Sequence, residues 1–194
     1  MNTPSHYVFN LALMGTVLTP EAKVAITIGS MLPDAPIFAF YLVAKFVQKL
    51  PEKQIWNEAY YEPFWQNIIA LFHSIPVAAI AIPVCLYFRW KMAAFLFASM
   101  ILHDLLDLPV HNEDAHRHFF PFSDYRFISP ISYWDPQHHA VFVALGELLL
   151  VLVATPFVFK MLDTWLAKGI LISINVVYVI GYLRFYVFRG GFSF

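Results

Sequence analysis

Residues 92–108 read MAAFLFASMILHDLLDL, and this stretch decides the fold. It is apolar over most of its length and then carries His103, Asp104 and Asp107 just before Pro109. A charged side chain at bilayer depth costs roughly 2.5–3.5 kcal/mol on insertion scales, so it needs a partner, a cavity or a metal. His103 and Asp107 stand at i and i+4, a rotation of about 40° and a rise of about 6 Å, which puts both on one helical stripe within reach of one cation. Pro109 stops the helix, because the residue before a proline avoids the α region. The pair therefore sits on the last turn, as suits a site at a membrane interface. The same spacing also fits a structural histidine oriented by an aspartate.

Composition agrees with a membrane class. Of 194 residues, 60% are hydrophobic, 18% aromatic and only 13% charged, with mean hydropathy +0.63; a soluble domain carries about 25% charged residues. Residues 64–88, 92–108, 140–159 and 169–188 each approach the ~20 residues that cross a hydrocarbon core. The expectation is an all-α integral membrane bundle of about four spans, forming one domain over residues 1–194. Three shorter apolar runs, 7–18, 22–32 and 35–47, precede them. Thr3-Pro4, Thr19-Pro20 and Asp34 before Pro36 each pair a capping side chain with a first-turn proline, which predicts three short helices, re-entrant or packed against the bundle.

Other classes are excluded on composition. The first basic residue is Lys23, so no positively charged n-region of a cleavable signal is expected. Cys85 is the single cysteine, which rules out an internal disulfide framework or thiolate cluster and leaves N and O ligands. A net charge of -1 without a basic stripe gives no nucleic-acid partner. The short turns at Arg89-Trp90-Lys91 and residues 160–168 are basic and favour the cytoplasm. The His-rich loop over residues 110–137 then falls on the non-cytoplasmic side, together with the ends of the spans carrying His73, His103 and Asp107.

Further ligand-type residues are spread along the chain. His6 follows Ser5 near the start, Asp34 follows Leu32-Pro33, and His73 lies between Phe72 and Ser74. Taken singly, Asp34 is equally an N-cap and His73 a buried histidine bonded to a carbonyl. Together, imidazoles and carboxylates on separate segments are what Zn²⁺, Mn²⁺ or Fe²⁺ hydrolytic centres use. In the loop, His111 stands four residues beyond Asp107 and is read as an auxiliary ligand. Arg117 and Arg126 are read as a bidentate phosphate clamp. The remaining loop histidines, with Tyr133 and Trp134, are read as a solvated interfacial segment. Glu147 and Arg184, lone charges in their spans, are expected to pair.

The ordered blocks Ser5-His6-Tyr7-Val8-Phe9, Met31-Leu32-Pro33-Asp34, Phe72-His73-Ser74 and His103-Asp104-Leu105-Leu106-Asp107, followed by Phe120-Pro121-Phe122 and Tyr125-Arg126-Phe127, resemble the bacterial membrane-bound metal-dependent hydrolases. That family is also described as LexA-binding, inner-membrane-associated hydrolases, and is more remotely similar to zinc-dependent phospholipase C. The resemblance covers about residues 5–127. It implies a helical protein of the bacterial inner membrane with a divalent metal, Zn first and Mn or Fe next, on His6, Asp34, His73, His103 and Asp107. Pro36 and Ile68 stand where the family pattern has a second Asp and a first His, which puts a second metal and the activity itself in question. The expected chemistry is metal-assisted hydrolysis of a lipid phosphoester or small molecule at the membrane surface, with Asp34 as bridging ligand or proton acceptor. A noncatalytic scaffold or assembly factor keeping a structural metal is the alternative. A metal or proton transporter ranks third, because the Arg89–Lys91 half of the adjacent spans lacks polar residues.

Overall fold

The computed structural model describes residues 1–16 and 19–188. All regular structure among them is helical. The elements are α1 (Thr3–Met14), α2 (Pro20–Met31), α3 (Ala35–Leu42) with a π turn over Val43–Val47, α4 (Glu52–Asn57), α5 (Pro63–Phe72), α6 (Ile75–Tyr87), α7 (Lys91–Asp107), α8 (Ala140–Met161), and α9 (Trp165–Tyr182) with a second π turn over Leu183–Val187. Prolines punctuate them as their missing N–H requires, in the first turns of α1, α2, α3, α5 and α6. Thr19 caps α2 by accepting from Ala22 N at 3.4 Å, and Ser74 caps α6 by accepting from Val77 N at 3.2 Å. Thr3 does not cap α1, whose N-cap is Asn2 without a side-chain bond.

Three helical stretches are long and apolar enough to cross a membrane: Lys91–Val110, Ala140–Met161 and Trp165–Val187. Two bent pairs raise the number to five if each counts as one span: α2 with α3, bent by 53°, and α5 with α6, bent by 44°. The span expected over residues 64–88 is thus the second bent pair, broken at His73-Ser74 just before Pro76. Ser74 takes the cap of a new helix and Pro76 cannot donate to the old one, so the backbone turns there. Asp34 occupies the corresponding break between α2 and α3.

α7 lies at the centre, packed against α2 and α6, while α1 crosses α2, α7 and α8, and α9 lies on α8. The α2–α7 approach is closest at Gly29, where an added Cβ would meet Leu96 O at 2.3 Å and Ser99 Cβ at 2.9 Å. A polar clamp locks this crossing: Ser99 Oγ donates to Ile26 O at 2.7 Å, and Asn10 Nδ2 donates to Ser99 O at 2.8 Å. Tyr7, Val8, Leu11, Ile26, Val151 and Leu171 pack around it as the main apolar core. Leu150, Val153 and Phe157 of α8 and Val177 and Ile180 of α9 point outward, as lipid-facing positions do.

The expected Glu147–Arg184 pair does not form. Buried Glu147 instead accepts from Asn2 N at 3.0 Å, from Asn2 Nδ2 and Tyr178 Oη, and from Ser5 Oγ. Neutral hydrogen bonds satisfy the carboxylate, so no cation is required beside it. Its four contacts tie the start of α1 to α8 and α9.

Candidate metal centre

Two helix breaks and two helix ends bring side chains to the same place. His103 and Asp107 come from the last turns of α7, Asp34 from the α2–α3 break, His73 from the α5–α6 break, and His6 from the first turns of α1. His6 Nε2 lies 2.9 Å from Asp107 Oδ1, and His103 Nε2 lies 3.1 Å from Asp107 Oδ2. Asp34 Oδ1 lies 3.6 Å from His73 Nε2 and 3.8 Å from His103 Nε2. His6, His73 and His103 are fully buried, Asp107 is 1% exposed and Asp34 8%. Donor separations of this size match the edges of a coordination polyhedron, which for ~2.0–2.1 Å bonds in a tetrahedron are about 3.3 Å.

The tautomers favour ligation. A backbone carbonyl only accepts, so the 2.9 Å contact of His73 Nδ1 with Ile69 O and the 2.8 Å contact of His103 Nδ1 with Ser30 O place a proton on each Nδ1. In the neutral rings Nε2 then carries the lone pair. Both Nε2 atoms are buried and lack a hydrogen-bond partner, although carboxylate oxygens stand close by. Buried polar groups are rarely left so, and a histidine whose Nδ1–H is fixed by a carbonyl while Nε2 is free is the usual arrangement of a metal ligand. Three buried groups can hold a metal ion: His6, His103 and Asp107; Asp34, His73 and His103; and His73, Asp107 and His116.

Asp34 is the N-cap residue of α3 by position, but its side chain makes no capping bond. It accepts from Thr3 Oγ1 at 2.5 Å and faces the histidines. The helix therefore does not depend on that carboxylate, which leaves it available for chemistry. His111 lies at the edge of the centre, with Nε2 3.2 Å from Asp107 Oδ1 and 2.8 Å from the Met1 amino nitrogen, which also contacts Asp107. Its Nδ1 is held by Asp114 Oδ2 at 2.9 Å, and Trp134 Nε1 donates to the same oxygen at 3.0 Å. Burial and the Met1 amino group pull the His111 pKa down, but Asp107 and Asp114 outweigh them and leave it above its ordinary value.

The reading of the loop as a solvated segment is overturned for its histidines. His116 and His118 are buried, and the His116 ring stacks on His73 with centroids 4.0 Å apart. Tyr133 and Trp134 turn toward His111 and Asp114. The chain folds back because the α5–α6 break offers it backbone partners: Ile75 N donates to His118 O at 3.0 Å and Ser74 Oγ donates to Phe120 O. Burial holds His116 well below its ordinary pKa and brings His118 down to about 3, so both are neutral and able to ligate near pH 7.

Arg117 and Arg126 have other work than a phosphate clamp. Arg117 bonds Asp124 Oδ1 at 2.8 Å, Gln66 O at 2.8 Å and Asn67 Oδ1 at 2.7 Å, while Arg126 bonds Ala115 O at 3.2 Å and Gln66 Oε1 at 3.1 Å. Both pin the loop to α5. Asp104, the residue after His103, is fully buried with neither carboxylate oxygen hydrogen-bonded. Sequence reasoning set His116 aside as a solvated loop residue and gave Asp104 no role; the inward face of an irregular loop is not carried by spacing. No family model, no curated protein and no solved structure matches this chain.

Proposed function

We propose that this protein is a membrane-embedded metal-dependent hydrolase acting at the membrane interface on a phosphoester, with a lipid head group as the first substrate class. The observation that carries the reading is the pair of buried, unpartnered Nε2 atoms of His73 and His103 converging with Asp34 and Asp107. His6, Asp34, His73, His103 and Asp107 would hold the metal, with His111 beside them. A nitrogen and carboxylate set of this kind suits Zn²⁺ first and Mn²⁺ or Fe²⁺ next. When bound, such an ion supplies Lewis acidity and activates water. Asp34 would accept the proton, a role supported by its being the most exposed of the set and making no capping bond. The order of the motifs, similar to the bacterial membrane-bound hydrolases, supports the reaction class.

Location supports a non-cytoplasmic site in a bacterial inner membrane. α7 runs from Lys91 to Asp107, so the Arg89–Lys91 turn lies at the end away from the centre. The turn between α8 and α9 carries Lys160 and Lys168, and Lys23 of α2 donates to Met161 O at 2.7 Å beside it. The short turns at the end opposite the centre are basic, as the positive-inside rule asks of a cytoplasmic face, while Lys45, Lys49 and Lys53 follow α3 and Arg117 and Arg126 stand in the loop beside the centre.

A second reading, a noncatalytic scaffold with a structural metal, draws on the near-complete burial of the ligand set. Asp34→Asn separates the two. Asn lacks the basicity of the carboxylate and is a poorer ligand, while α3 loses no cap bond. The hydrolase reading expects wild-type protein loaded with metal to turn over members of a phosphoester lipid panel, and Asp34→Asn to lose at least about 100-fold of that rate while melting close to wild type. No turnover by metal-loaded wild type across phosphoester and acyl-ester screens supports the scaffold.

A further inference from the structure

The three ligand groups compete for side chains, and the competition leaves only one way to fill two of them. His103 Nδ1 and His73 Nδ1 are committed to Ser30 O and Ile69 O, so each ring offers Nε2 to one ion only. The group of Asp34, His73 and His103 therefore excludes each of the other two. The group of His6, His103 and Asp107 and that of His73, Asp107 and His116 share only Asp107. A carboxylate has two oxygens and bridges readily. Both Asp107 oxygens stand against the first of these groups, Oδ1 by His6 and Oδ2 by His103; an Asp107 oxygen also lies within 4.8 Å of ligand atoms of His73 and His116, and Asp34 Oδ1 stands between His73 and His103 at 3.6 and 3.8 Å.

Resting on the metal-centre reading above, we propose that the centre holds two divalent ions at once, one on His6, His103 and Asp107 and one on His73, His116 and Asp107. Asp107 bridges the two positions and Asp34 lies between them. The unpartnered Nε2 atoms of His73 and His103 favour two ions, since each ring offers its lone pair to a separate position. The second position also gives His116 a purpose, since its ring is buried against His73 and drawn in by the loop that Arg117 and Arg126 pin down. The loop thus contributes a ligand and does not merely cover the site.

The test is a metal count on the full chain in detergent, stripped with chelator, reloaded with Zn²⁺ and freed of excess. Wild type is expected to retain two ions per chain, and His116→Ala and His6→Ala one each. One ion in wild type, or two in His116→Ala, overturns the second position and leaves the metal-centre reading standing. No ion in wild type overturns both. Because a histidine variant can fail to fold, Mn²⁺-loaded wild type provides an independent measurement: a carboxylate-bridged pair gives an exchange-coupled electron paramagnetic resonance spectrum. A spectrum of isolated Mn²⁺ at saturation overturns the proposal.

Discussion

Gly29→Ala tests whether the α2–α7 crossing sets the metal centre. The added methyl would sit 2.3 Å from Leu96 O and 2.9 Å from Ser99 Cβ, and ordinary van der Waals contact begins near 3.4 Å. The obstacle is helix backbone and cannot rotate away, so α2 must retreat by about 1 Å, an overpacking that costs roughly 1–3 kcal/mol. The retreat pulls Ser30 O from His103 Nδ1 and Ile26 O from Ser99 Oγ, now at 2.8 and 2.7 Å. Each strained bond adds about 1 kcal/mol, for a total near 3–5 kcal/mol. In a chain of this size that is a fall in Tm of roughly 10 °C. Freeing the His103 ring from its carbonyl should weaken metal binding about 10–100-fold. The assays are thermal unfolding in detergent and metal titration, with Gly169→Ala as control, since a Cβ there meets nothing within 4 Å. A Gly29→Ala protein with wild-type Tm and metal Kd would refute the claim that this close approach holds His103 in place.

Glu147→Ala should strand the donors Asn2, Ser5 and Tyr178 and cost about 3–5 kcal/mol; Glu147→Gln, which keeps an acceptor, should lose less, and parity of the two by thermal unfolding would count against the hydrogen-bonded tether. Arg117→Ala with Arg126→Ala should loosen the loop on α5, seen as at least about tenfold faster amide exchange across residues 111–126, with the exchange of α8 unchanged. Chelation of metal-loaded protein should raise exchange in residues 111–118 as well, because His116 then loses its bond to the centre; protection that ignores chelator would detach the loop from metal binding.

Several features were legible in the chain itself. Low charge and long apolar runs define a helical membrane class, and the i, i+4 pair of His103 and Asp107 followed by Pro109 locates a helix end with two convergent ligand-type side chains. Pro20, Pro36 and Pro76 mark helix starts, because a residue without an N–H costs least in a first turn, although Pro83 and Pro156 also stand inside α6 and α8. These are local properties, written within one or two turns. Only the tertiary structure turns residues 64–88 from one span into two helices, since whether Ser74 caps a new helix depends on what receives His73 and Ile75. It also decides that Asp34 faces histidines and not its own helix, that Glu147 binds Asn2 and Ser5 in place of Arg184, and that the arginines pin the loop. His116 stands for the rest. An irregular segment has no period from which its inward face can be read, so its place against His73 follows from bonds formed with the distant α5–α6 break.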